Sequence, residues 1–107
     1  MNKRNQVEKL LSDTLPDLFI STEPALYKEE LKNTNYFNLK YVTSYSRNEA
    51  SARGGGVSIH TKSELSAKEI DVTRFAKQNI FEVCCCKLKL KGTNRDCLMI
   101  GILQTPK

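Results

Sequence analysis

The chain is 107 residues long, 39% apolar and 27% charged, which fits one small globular domain and is too apolar for a disordered chain. Its longest apolar run, residues 97–103, is strand-sized, and the basic start Met1-Asn2-Lys3-Arg4 leads into a polar amphipathic stretch, so neither a bilayer span nor a secretory signal is expected. Seventeen Lys and Arg against twelve Asp and Glu leave a net charge of +5, a balance that suits a polyanionic partner but, spread along the chain without a dense block, is better read as an ordinary solvated surface.

Taken in chain order, residues 4–14 read as an amphipathic helix with Val7, Leu10 and Leu11 on one face, ended by Pro16. Residues 17–22 form a short apolar strand. Glu23-Pro24 then opens a short helix through residue 32, because proline suits a first helical turn. Residues 36–45 have the aromatic and β-branched character of a strand. The glycines at 54, 55 and 56 lead into Val57-Ser58-Ile59-His60-Thr61, whose alternation marks a half-buried strand. Residues 65–70 read as a further strand and residues 72–78 as a turn or short helix. Residues 80–90 make a long strand, Gly92-Thr93-Asn94-Arg95 a hairpin loop, and residues 97–103 a returning strand apolar on both faces. The sum is an α/β sandwich of the α+β kind, with one mixed sheet of about six strands and flanking helices.

Few side chains promise chemistry. Glu23 follows an apolar strand, where α/β enzymes place catalytic groups and where a hard divalent cation finds an oxygen ligand. The same carboxylate also suits the positive end of the helix after it. Triple glycine before a strand marks a tight turn or a close backbone approach rather than a phosphate loop, which needs a helix next. His60 is mid-strand without a visible catalytic partner and reads as a structural or surface histidine. Cys84, Cys85, Cys86 and Cys97 lack both the loop spacing of a disulfide framework and the two-residue spacer of paired zinc ligands, so a zinc site with His60 is disfavoured. They read as reduced, packed thiols of an intracellular protein, nuclear or cytoplasmic.

Four segments in order carry a resemblance: Pro16-Asp17-Leu18-Phe19-Ile20-Ser21-Thr22-Glu23, Arg53-Gly54-Gly55-Gly56-Val57-Ser58-Ile59, Phe81-Glu82-Val83, and Gly101-Ile102-Leu103-Gln104-Thr105-Pro106. They resemble the N-terminal half of the endonuclease/exonuclease/phosphatase domain, most closely the endonucleases of non-LTR (LINE- or jockey-type) retrotransposon polyproteins. Those read P-D-I-L-x-L-T-E, R-x-G-G-G-V-A-I-Y, F-E and G-V-Y-R-P-P. The resemblance implies a partial two-sheet sandwich, a magnesium-dependent phosphodiesterase acting on DNA, and Glu23 as the metal-binding glutamate.

The departures are specific. Leu103 and Gln104 stand where the family has its tyrosine and arginine. The family's first strand, with its asparagine, would precede Met1, and its Asp-x-Asn and Asp-His motifs would lie beyond Lys107, so residues 1–107 read as a partial domain truncated at both ends. Glu23 alone neither holds magnesium tightly nor activates water. The chain is therefore expected to have no catalytic residues of its own and to be inactive alone. The alternative is a non-catalytic nucleic-acid-binding or interaction module. With one sheet and few helices, one apolar sheet face should remain open to self-association or to a complementary half-domain.

Overall fold

The computed structural model describes residues 3–22, 38–45, 56–76, 81–90 and 92–104. Helix α1 (Lys3–Thr14) is followed by β1 (Leu18–Thr22), β2 (Lys40–Tyr45), β3 (Val57–Thr61), β4 (Lys68–Ile70), β5 (Phe81–Lys89) and β6 (Asp96–Gln104). Short 3-10 turns lie at Ser63–Leu65 and Thr73–Phe75. The helix expected over residues 24–32 falls outside the described residues.

Proline alone does not stop α1. Leu15 turns into the left-handed region at φ 50°, and its N–H still reaches the Leu11 carbonyl at 2.9 Å, an αL cap that Pro16 then makes final. The apolar face of α1 is narrow. Leu11 is buried with Leu39, and Val7 and Phe19 pack against the pair. Leu10, by contrast, is 54% exposed.

The coarse α+β class holds, but the single mixed sheet does not. The strands form two three-stranded sheets, β1-β3-β2 and β4-β5-β6, and every pairing is antiparallel. The reason lies in the side-chain alternation of β3 and β5, the central strand of each sheet. Val57 and Ile59 point to one face of β3, and Cys84, Cys86 and Leu88 to one face of β5. These five and Leu65 make a single buried cluster. Two half-apolar sheets cover each other's faces, which removes the need for helical layers on both sides of one sheet. On the other face of β3, His60 lies opposite Phe19 of β1 and Tyr41 of β2. All five residues of β3 are consequently buried.

The two-sided burial expected for residues 97–103 is also corrected. Cys97 and Met99 turn inward against the core, whereas Leu98, Ile100 and Ile102 are 58%, 51% and 49% exposed. The outer face of β5 is covered, with Val83 and Cys85 buried and the Thr73–Phe75 turn packed against the strand. That cover does not extend across β6, which is the sheet's edge.

The sheets come closest at Gly101. A Cβ there would lie 2.7 Å from Val57 Cγ2, 3.1 Å from Ile20 Cγ2 and 3.4 Å from Cys84 Sγ. Only glycine lets β6 approach the first sheet this closely without displacing core side chains. Gly101→Ala should therefore lower stability by about 1–3 kcal/mol, seen as a lower urea midpoint in circular dichroism. An unchanged midpoint would show that the two sheets part freely at this point.

Candidate functional site

The described parts of the four segments that carry the resemblance meet at one end of the sandwich. Thr22, at the close of β1, pairs with Val57, at the opening of β3. Glu82, near the start of β5, pairs with Leu103 near the close of β6. Gly101 bridges the two sheets by its approach to Ile20 and Val57. Glu82 closes the junction. Its carboxylate is wholly buried, and Oε1 accepts a hydrogen bond from the backbone N–H of Gly56 at 2.7 Å.

That bond accounts for part of the glycine run. Gly56 has φ 92°, a conformation in which a side chain is strained, and it presents its N–H to a carboxylate rooted in the opposite sheet. The sequence reading of a close backbone approach applies at Gly56, while Gly54 and Gly55 lie outside the described residues. Glu82 carried no chemical expectation beyond its place in the Phe81-Glu82-Val83 segment. A charged residue inside an apolar strand was the available signal, since such a group is buried only with partners.

Glu23, the expected metal ligand, lies outside the described residues. Among those described, no group of three or more His, Cys, Asp or Glu side chains converges to hold a metal ion. At the junction, Glu82 is committed to the Gly56 amide and its cross-strand neighbour is the apolar Leu103. The described donors therefore do not make a magnesium site, which wants near-octahedral oxygens. His60 and the cysteines do not form a zinc site either. His60 shares its face of β3 with Phe19 and Tyr41, its ring edge-on to Tyr41 at 5.9 Å, whereas Cys84 and Cys86 pack against the opposite face with Val57 and Ile59.

The cysteines are free thiols, and the three consecutive ones are held in their protonated form. Burial, with Cys86 and Cys85 adding repulsion, pushes Cys84 up to about 12 from an ordinary 9.0, and its Sγ donates weakly to the Val57 carbonyl at 3.7 Å. Burial raises Cys85, and burial followed by repulsion from Cys85 and Cys97 raises Cys86. None is a poised nucleophile.

A second feature gave no sequence signal. Between β2 and the segment after β4 lies a cleft of about 310 Å³ lined in part by Ser44, Ile70 and Val72. Two carboxylates on its wall are each occupied by a threonine. Thr43 Oγ1 donates to Glu69 Oε2 at 2.6 Å, and Thr73 donates to Asp71 Oδ1 from Oγ1 at 2.6 Å and from its N–H at 3.0 Å. The first bond ties the two sheets and the second closes the turn into Thr73–Phe75.

Comparison with protein-family models, with curated proteins and with solved structures gives no match. No helix among the described residues is long and apolar enough to cross a membrane.

Two predictions arise from the junction and its thiols. Glu82→Val leaves the Gly56 N–H buried without its acceptor and should cost about 1–3 kcal/mol in urea unfolding, while Glu82→Gln, which keeps an oxygen there, should cost less. Equal losses would show that the bond to Gly56 carries little. The thiols set an alkaline limit. In the unfolded chain Cys84 releases its proton near 9.0 and in the folded chain only toward about 12, with Cys85 and Cys86 raised in the same direction, so the stability Cys84 contributes is whole below pH 9.0 and drains away as pH rises toward about 12. The urea midpoint should fall through this window. A Cys84→Ala, Cys85→Ala, Cys86→Ala variant, compared with itself at each pH, should show a shallower fall.

Proposed function

We propose that this chain is part of an endonuclease/exonuclease/phosphatase-type domain of retrotransposon origin, whose parent activity is metal-dependent hydrolysis of DNA phosphodiesters. One observation supports the reading above the others. The four segments that resemble the family are far apart in sequence, yet their strands meet at one junction, through Ile20, Gly56, Val57, Glu82 and Gly101. β1 delivers the chain to that same end, and Glu23 is the next residue. Two sheets packed face to face with a helix on an outer face are also in keeping with the family's two-sheet sandwich flanked by helices, although a single sheet was expected of this chain.

The same residues support an inactive chain. Leu103 and Gln104 replace the phosphate-contacting tyrosine and the arginine of the family pattern. Leu103 offers a phosphate neither a hydrogen bond nor a charge. Magnesium, in the parent, would polarise the scissile phosphate and stabilise the leaving oxygen. Here Glu23 is the single carboxylate carried over from that centre, too few ligands to hold the ion tightly.

What remains of the parent function is electrostatic. A net charge of +5 supports weak DNA binding without sequence preference, driven by counterion release. The purified chain should leave supercoiled plasmid intact in magnesium and should shift a DNA oligonucleotide at low salt only, with affinity falling as salt rises. Magnesium-dependent nicking that vanishes in Glu23→Ala would show that the chain is a working nuclease. No shift at any salt would remove the nucleic-acid reading.

A further inference from the structure

Cations that are spread through the sequence are gathered by the fold at one end of the second sheet. β4 pairs with β5 so that Lys68 stands directly opposite Lys87, and Lys89, two residues further along β5, shares that face. The three lysines surround a hollow of about 440 Å³ at the hairpin end of the sheet. Asp96, opposite Lys89 on β6, is the one carboxylate on its wall. It lies 3.3 Å from Lys87 and 3.5 Å from Lys89. The hydrogen bond from Lys87, and after it the two lysine charges, hold its carboxyl below the ordinary value.

That single aspartate is shared by two lysines, and no ion pair among the described residues reaches Lys68. Arg95 adds an exposed cation in the adjoining hairpin loop. Four positive charges against one negative leave an excess of three at this end, more than half of the net +5 of the whole chain. Like charges directly opposite on neighbouring strands repel, and Asp96 offsets the repulsion between Lys68 and Lys87 from one side only. An anion entering the hollow relieves it.

From this geometry we infer that the hollow between Lys68, Lys87 and Lys89 is where the chain holds nucleic acid, by the phosphate backbone of a duplex and without reading its sequence. The inference rests on the nucleic-acid reading above and locates it. Next to the lysines the outer row of β6 is aliphatic, Leu98 and then Ile100. Unpaired bases find no ring there to stack on, which favours a charged backbone over a single strand. A concave site also suits a ridge of phosphates better than a flat lipid surface. Lys87 and Lys89 lie five and seven residues along β5 from Glu82, roughly 17–24 Å at strand spacing. A duplex seated in the hollow is therefore at the opposite end of the sheet from the junction.

The test is a titration of a fluorescein-labelled duplex of mixed sequence with the whole chain, read by anisotropy over a series of salt concentrations. Replacing the three lysines together (Lys68→Gln, Lys87→Gln, Lys89→Gln) should weaken binding at low salt by about tenfold or more and lower the slope of log K against log salt by about two to three. An equal loss of charge from α1 (Lys3→Gln, Arg4→Gln, Lys9→Gln), which packs against the first sheet through Leu11 and Phe19, should leave the slope nearly unchanged. Asp96→Asn releases Lys87 and Lys89 and should tighten binding by about threefold or more, a gain that misfolding cannot mimic. Asp13→Asn, which releases Lys9 on α1 in the same way, should not. Equal losses from the two triple variants, or equal effects of the two aspartate variants, would show that binding follows net charge and not the hollow. Either result overturns the inference and leaves the nucleic-acid reading standing. Absence of binding by the unaltered chain would remove that reading and the inference with it. Phosphatidylserine vesicles that bind the chain more tightly than the duplex does, and lose it in the lysine variant, would assign the hollow to a lipid surface and overturn the inference equally.

Discussion

The close approach of the two sheets at Gly101 is the constraint on which the rest of the structure depends. Both central strands carry apolar side chains toward a shared interior, and neither sheet has a stable inner face without the other. With the Gly101 position already 2.7 Å from Val57 Cγ2 for any added carbon, the spacing between the sheets is fixed at that end by backbone and not by adjustable side chains. The consequences propagate along the strands. Cys84 and Cys86 fit as small hydrophobes where bulkier residues would force the sheets apart, and the Thr43–Glu69 bond then ties β2 to β4 across the same gap.

Glu82 is the costly part of this arrangement. A carboxylate wholly removed from water forfeits its hydration, and the backbone N–H of Gly56 is a partner that offsets part of that loss. A buried charge is weak evidence for stability, so the bond between Glu82 and Gly56 is better understood as fixing geometry. It locks the entry to β3, through a glycine at φ 92°, to the start of β5 in the other sheet. A sandwich whose sheets are held at this point cannot slip in register by one residue without burying the opposite, polar alternation of β3.

Much of this was legible from the residues. The ends of β1, β3, β5 and β6 fall within a residue or two of where alternation and turn chemistry put them, and the hairpin at Gly92 has the positive φ its loop requires. Residues 65–70 were read as one strand, whereas a 3-10 turn at Ser63–Leu65 precedes a shorter β4, because Leu65 is drawn into the core and breaks the run. The division into two sheets was not legible, because alternation tells which side chains share a face and not which sheet faces them. β6 misled for a related reason. An apolar run reads as buried on both faces, but an edge strand can hold aliphatic residues in water when the covering turn stops one strand short. The cleft beside Glu69 and Asp71 left no trace in sequence, since it depends on which sheet edges come together. The left-handed cap at Leu15 was equally hidden, because nothing but the adjacent proline marks it.

The residues that carry the family resemblance are, where the structure describes them, almost all residues that shape the backbone. Gly56 supplies a positive φ and an N–H, Glu82 the acceptor, Val57 and Ile20 the packing surface, and Gly101 the room for it. Leu103 and Gln104 stand where the pattern these segments resemble has its phosphate-contacting tyrosine and its arginine. A scaffold and a reaction centre are lost under different pressures. Removing the scaffold residues costs stability through clashes and unsatisfied groups, which act on any protein that must fold. Removing a phosphate contact costs only catalysis.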